Sequence, residues 1–225
     1  MADQQRWEPE LGVLGTGRMG PRLAAMFARA GRKVVLGSRD PDRAEAIAAK
    51  LDIPTLRGGR NADALAAPAV LPAVFIRDGL LNLLEAYCRT LAGKLLIDIG
   101  NPFNADYSAF VTPWAWSGAE EIQRRFPQAR VVGAFKNVFW EVFDQPDFGG
   151  TLSDVLVTGD DAAAKEEFLA LAEGTPFRYL DAGPLENSRT VERLTFITGS
   201  LGRQLGAYPR MNWRLLTQAP QLVAA

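Results

Sequence analysis

Gly15-Thr16-Gly17-Arg18-Met19-Gly20 is the stretch that decides the fold. It reads G-x-G-x-x-G. It stands between an apolar run at residues 11–14 and a helical pattern over 18–30, where Met19, Leu23, Met26, Phe27 and Ala30 repeat on one face. In that context each glycine has a purpose. The first permits a tight turn, the second lets a pyrophosphate approach the backbone, and the third lets helix pack on strand. The helix N-terminus adds free N–H groups and the positive end of a dipole. The spacing predicts a dinucleotide site made by Gly15, Thr16, Gly17, Arg18, Met19 and Gly20.

Working outward, the second strand is expected at 33–36 and ends in Gly37-Ser38-Arg39. An NAD site places a carboxylate at that tip to bond the ribose 2′-hydroxyl. Here Ser38 can donate a hydrogen bond and Arg39 can pair bidentately with a 2′-phosphate. Arg43 follows one helical turn later as a second charge. Asp40, followed by Pro41, reads as the N-cap of a helix over 41–51. The expectation is NADP(H) rather than NAD(H).

Further strands are expected at 54–56, 69–75, 94–99, 130–135, 154–158 and 177–180. Helices are expected at 79–91, 117–126, 161–173 and 188–205, the last with Val191, Leu194, Ile197, Leu201 and Leu205 on one face. Strand–helix alternation implies an α/β chain, a Rossmann-type doubly wound, mostly parallel sheet with right-handed crossovers and a small C-terminal helical segment. The division expected is a dinucleotide-binding domain over 11–184 and a helical segment over 185–225, with 219–225 as a loose tail. Gly199, Gly202 and Gly206 either admit a close neighbour to the last helix or mark its end.

Composition sets outer bounds. The chain has 225 residues, 48% hydrophobic and 23% charged, with a net charge of -1. That is enough to bury a core and offers no global basic field for nucleic acid or an anionic membrane. No apolar run approaches the ~18 residues of a membrane span. The opening residues are polar and lack the layout of a signal peptide, and the lone Cys88 cannot form an internal disulfide, so the cytoplasm is the expected compartment. Cys88 is read as core filler. The sequence contains no histidine, which excludes Ser-His-Asp and Cys-His catalysis and histidine zinc sites; one cysteine makes no thiolate cage, so no metal site is expected. Chemistry must come from carboxylates, Lys, Tyr, hydroxyls or a cofactor.

Ligands of open α/β sheets sit beyond the carboxyl ends of the strands. That gathers residues 75–78, 101–103 and 136–140 around one crevice. Phe75, Phe135, Phe139 and Trp140 are candidates to stack on a flat ring. Lys136 is the catalytic candidate, as an anchor for an anionic substrate or as a proton donor if burial lowers its pKa. Tyr107 and Tyr179 are the other proton-donor candidates. Trp114, Trp116 and Trp213 either line the cleft or meet a second copy.

The glycine loop, Gly37 to Pro41, Ile97-Asp98-Ile99-Gly100-Asn101-Pro102 and Asp181-Ala182-Gly183-Pro184-Leu185 occur in an order that resembles the deazaflavin-dependent NADP oxidoreductases. The likeness runs from about Leu11 to about Leu205 and takes in Arg189, Glu192, Leu194 and Thr195. It implies hydride exchange between NADP(H) and an 8-hydroxy-5-deazaflavin, a C-terminal segment closing over the nicotinamide, and a homodimer. It implies further that Asn101 and Pro102 lie beside the nicotinamide, and that Val74 borders the cleft. Two segments depart from the family's usual reading. Ala73-Val74-Phe75 replaces Ala-Val-Pro, and Val132-Gly133-Ala134-Phe135-Lys136-Asn137 replaces Val-Lys-Ala-Phe-Asn-Thr. The cofactor grip is retained and the second-substrate side is altered. Two other readings therefore stand beside the first: an NADPH-dependent imine or ketone reductase, and a non-catalytic NADPH sensor.

Overall fold

The structure, a computed structural model, describes residues 7–217. The expected loose tail at 219–225 and the polar opening residues lie outside that range.

β1 (Leu11–Leu14) is buried along its whole length. Its neighbours are β2 (Val34–Ser38) and β4 (Ala69–Pro72), both parallel to it. β3 (Leu56–Arg60), β5 (Leu95–Asp98) and β6 (Arg130–Gly133) complete a six-stranded parallel sheet in the order β3-β2-β1-β4-β5-β6. The order reverses between β1 and β4, which opens a crevice at their carboxyl ends.

Both faces of this sheet are covered. Side chains alternate across a strand, so Leu11, Val13, Leu95 and Ile97 join one core with Leu23 and Phe27 of α1 (Gly20–Arg29) and Phe168 of α7 (Ala162–Ala172). Leu14, Val70 and Leu96 join the other, with Leu65 of α3 (Asn61–Leu65), Leu80 and Leu84 of α4 (Leu80–Glu85), and Ile122 of α5 (Gly118–Arg125). α2 (Pro41–Leu51) begins as expected: Asp40 Oδ1 accepts from the Arg43 N–H, with Pro41 at the first helical position.

Several elements differ from the sequence reading. β4 stops at Pro72, which lacks the N–H a continuing strand would use. β6 stops at Gly133, because Gly133 and Thr158 exchange backbone hydrogen bonds and Phe135 takes φ 57°. β7 (Asp154–Val157) and β8 (Arg178–Asp181) form a separate parallel pair joined to β6 by that bridge. α4 is shorter than expected; beyond it the chain continues in i→i−3 turns, and Cys88 there is exposed, which corrects its reading as core filler. α3 and α6 (Trp140–Asp144) were not expected at all.

α8 (Ser188–Gln204) is present but turned. It buries Val191, Glu192, Thr195 and Thr198, while Ile197, Leu201 and Leu205 face outward. The inward face meets a charged cluster and a cleft rather than an oily core, so of the expected apolar stripe only Val191 is buried. Gly202 admits a close neighbour, and that neighbour is the chain's own Met211: a Cβ at Gly202 would lie 2.7 Å from its sulfur. Gly206, at φ 66°, ends the helix. Residues beyond it return to β7, where the Asp154 N–H donates to Trp213 O.

Candidate active site

A cleft of about 710 Å³ opens at the carboxyl ends of β1 and β4. At one end lies the glycine loop. Gly15 holds φ 109°, and a Cβ on Gly20 would fall 1.8 Å from Gly15 O, so the loop closes only with glycine at both. A Cβ on Gly17 would meet nothing within 4 Å, because its backbone faces open cleft. The residues present thus fit a diphosphate laid against main chain at the start of α1.

Ser38 and Arg39 border the same end. The Ser38 hydroxyl accepts from the Asp40 N–H at 3.1 Å, and the Asp40 carboxylate is turned toward its own helix as its cap. Arg39 is exposed and, among the described residues, has no hydrogen-bond or ion-pair partner. Arg43 reaches back to Thr16 O at 3.3 Å, tying the start of α2 to the glycine loop. The end of β2 therefore presents a free guanidinium and a hydroxyl with no carboxylate directed at them.

The other end is aromatic. Phe75, Phe103, Tyr107, Phe139, Trp140, Phe196 and Tyr208 line it. Arg77 braces this wall: its guanidinium stacks 4.2 Å from the Phe75 ring centre and 4.5 Å from that of Tyr107, and donates to Phe103 O and Asn104 O. Thr195, Phe196, Gly199 and Arg203 come from α8 and Tyr208 from the segment after it. Phe75, Tyr107, Phe139 and Trp140 were expected at the crevice; Phe196, Arg203 and Tyr208 were not, because nothing near them in sequence says that α8 and the segment after it fold back onto the strand ends.

Gly15, Thr16, Gly17, Arg18, Met19, Ser38, Arg39, Arg43, Val74 and Asn101 all line the cleft. Gly20 and Pro102 are buried behind it. Of the ring-stacking candidates, Phe75, Phe139 and Trp140 border the opening. Phe135 only touches it, being buried among Phe27, Phe143, Phe168, Phe177 and Tyr179. Tyr179 lies in that core beside Thr175, and burial pushes its hydroxyl well above the ordinary tyrosine value. Of the sequence-derived proton donors, only Tyr107 faces the cleft.

Lys136 requires correction. It is 1% exposed and does not line the cleft. Its Nζ donates to Asp98 Oδ2 at 2.6 Å, Glu192 Oε1 at 2.9 Å and Gly100 O at 2.5 Å. Glu192 also accepts from the Gly118 and Ala119 N–H groups at the start of α5. Burial alone would lower the lysine's pKa, but the two carboxylates outweigh it and the value is raised. Burial, with Asp98 nearby, pushes the Glu192 carboxyl up against the pull of Lys136. Lys136 is thus neither a surface anchor nor a proton donor of lowered pKa. Its main-chain O accepts from Asn101 Nδ2 at 2.8 Å, so it fixes the cleft-lining loop from behind.

Comparison with known proteins agrees with this geometry. A sequence profile described as NADP oxidoreductase, coenzyme F420-dependent, matches residues 10–102. The F420-dependent NADP reductase of Methanothermobacter thermautotrophicus is 31% identical over 198 residues, which cover 80% of this chain and 83% of that enzyme. The chain belongs to the coenzyme F420-dependent NADP oxidoreductase family. Membership makes it an NADP-dependent oxidoreductase. A crystal structure from Arthrobacter sp. FB24, provisionally described as an F420-dependent NADP reductase, shares the fold with a TM-score of 0.77 at 30% identity, covering 88% of this family member and 95% of that chain. The metalloreductase STEAP3 of Rattus norvegicus is 30% identical over 195 residues; the match spans 86% of this chain and 38% of the metalloreductase. No helix among the described residues is long and apolar enough to cross a membrane.

Proposed function

We propose that this oxidoreductase transfers hydride between NADPH and a deazaflavin. The observation that carries the reading is the composition of the cleft: a glycine loop and a free Arg39 at one end, an aromatic wall at the other, and, among the described residues, no lysine or histidine between them. Hydride comes from NADPH, and a ring that is itself the acceptor needs no protein acid beside the reacting carbon.

In this reading Gly15, Thr16, Gly17, Arg18 and Met19 hold the pyrophosphate through main-chain N–H groups, with Gly20 keeping α1 against the loop. Ser38, Arg39 and Arg43 hold the 2′-phosphate. Val74 and Asn101 border the nicotinamide, and Pro102 supports Asn101 from beneath. The aromatic wall orients the second ring and keeps water out, which is most of what hydride transfer asks of a protein. Lys136 acts by position alone. A homodimer belongs to the same reading, with the outward Ile197, Leu201 and Leu205 of α8 as its contact; sedimentation at rising concentration tests it.

The test is to mix the protein with NADPH and an oxidised 8-hydroxy-5-deazaflavin, with NADH alongside. Rapid bleaching of the deazaflavin with NADPH and little with NADH is expected. NADPH oxidation only with a cyclic imine or ketone would move the protein to that substrate class. Tight NADPH binding without turnover on any acceptor would make it a sensor.

A further inference from the structure

Three residues other than glycine hold a positive φ among the described residues: Asp52 at 49°, Phe135 at 57° and Tyr107 at 62°. That region crowds a side chain against its own backbone, and a bulky one most. Two of the three have a structural reason to be there. Asp52 is short and polar and caps the C-terminus of α2, where the left-handed conformation is common. Phe135 is buried in the core, where the rings of Phe27, Phe143, Phe168 and Phe177 hold it on several sides. Tyr107 has neither reason. It is half exposed, it is bulky, and it stands in a turn that closes without its side chain. Its own N–H donates to Asn104 O, the Asn104 N–H donates to Ala109 O, and the Ala109 N–H donates to Asn104 Oδ1. Glycine or asparagine would sit there with less strain.

Arg77 holds the ring in place from the other side of the cleft wall. Its guanidinium lies 4.5 Å from the centre of the Tyr107 ring, and its Nη1 donates to Phe103 O and Asn104 O at the start of the same turn. The Arg77 side chain is mostly buried, so this brace is fixed rather than solvated. The Tyr107 ring lines the cleft. Backbone strain that burial does not offset persists where a side chain is needed in one place. We infer that Tyr107 packs its ring against the second substrate, a flat aromatic acceptor, and that Arg77 is the positioning residue that presents it. The inference rests on the hydride-transfer reading and gives one residue of the aromatic wall the contact with the acceptor.

The probe is an oxidised 8-hydroxy-5-deazaflavin, titrated into protein saturated with NADP+ and then turned over with NADPH. Tyr107→Gly should melt within about 2 °C of wild type or above it, because glycine relieves the strain, and should hold NADP+ within about twofold. It should bind the deazaflavin about threefold to tenfold more weakly, the scale of one ring–ring contact. KM for the deazaflavin should rise by a similar factor while kcat changes less. Tyr107→Phe should keep the affinity. Arg77→Gln should weaken binding much as Tyr107→Gly does, and the double variant should be no weaker than Tyr107→Gly, because Arg77 acts through that ring. Wild-type deazaflavin affinity in Tyr107→Gly, or a melting temperature well below wild type, overturns the inference. So does an equal loss in Tyr107→Phe, which would assign the contact to the hydroxyl, and so do additive losses in the double variant, which would give Arg77 a contact of its own. If the wild type neither binds nor reduces the deazaflavin, the hydride-transfer reading falls and takes this one with it.

Discussion

In the proposed reading Arg39 is the main determinant of the cofactor preference. It stands free beside Ser38 while Asp40 is occupied as a helix cap. Replacing it with Glu should weaken NADPH binding at least tenfold, the scale of a charge-assisted hydrogen bond, and leave NADH nearly unchanged. Titration with each nucleotide checks this, and equal losses would contradict it. Gly20 is similarly exacting. A methyl there would sit 1.8 Å from Gly15 O, so Gly20→Ala should cost about 1–3 kcal/mol in chemical denaturation and abolish tight nucleotide binding. Both residues are legible from the chain because their meaning is local: a glycine spacing and the residue type at a strand tip. Lys136 was misread for the opposite reason. Its acidic partners lie 38 and 56 residues away, and no local pattern announces them.

Among the elements, that buried cluster ties β5, the segment after β6 and α8 together. Lys136→Met would leave Asp98 and Glu192 buried without their cation and should cost about 3–5 kcal/mol of stability. A loss below about 1 kcal/mol in urea would show that the cluster holds nothing. The pH dependence follows from the raised lysine pKa. Folded, Lys136 keeps its proton above the ordinary value of 10.5, so its contribution is whole below that value and is lost as pH rises through the raised one. Wild type should therefore weaken steeply at strongly alkaline pH, and Lys136→Met should lack that component of the loss. Most strands and longer helices were readable from period and caps, but β3, expected at 54–56, runs over Leu56–Arg60, where Gly58 and Gly59 leave no apolar alternation to read. α3 and α6, each five residues, are too short for a helical period to register. The facing of α8 was misjudged because Glu192, Thr195 and Thr198 point inward to charge and cleft, which hydrophobicity does not foretell.

Across the whole molecule, the doubly wound parallel sheet follows from strand–helix alternation, and with it the placing of the cleft beyond the carboxyl ends of the strands. The far wall does not. It depends on α8 and the returning segment, which are fixed by contacts such as Trp213 Nε1 to Thr198 Oγ1 at 2.6 Å and the Leu215 N–H to Asp154 Oδ2 at 2.7 Å. Trp213→Phe removes the first of these and should lower the melting temperature by about 2–4 °C for a chain of this size. An unchanged melting temperature would mean that the return is not held there. Direct passage of hydride from NADPH to a deazaflavin is checked by isotope. NADPH deuterated at C4 of the nicotinamide, separately on each face, is turned over with oxidised deazaflavin, and the reduced product is examined by mass spectrometry. One deuterium is expected in the reduced deazaflavin from one of the two labelled faces and none from the other. Label recovered in water, or no reduced deazaflavin at all, would contradict it.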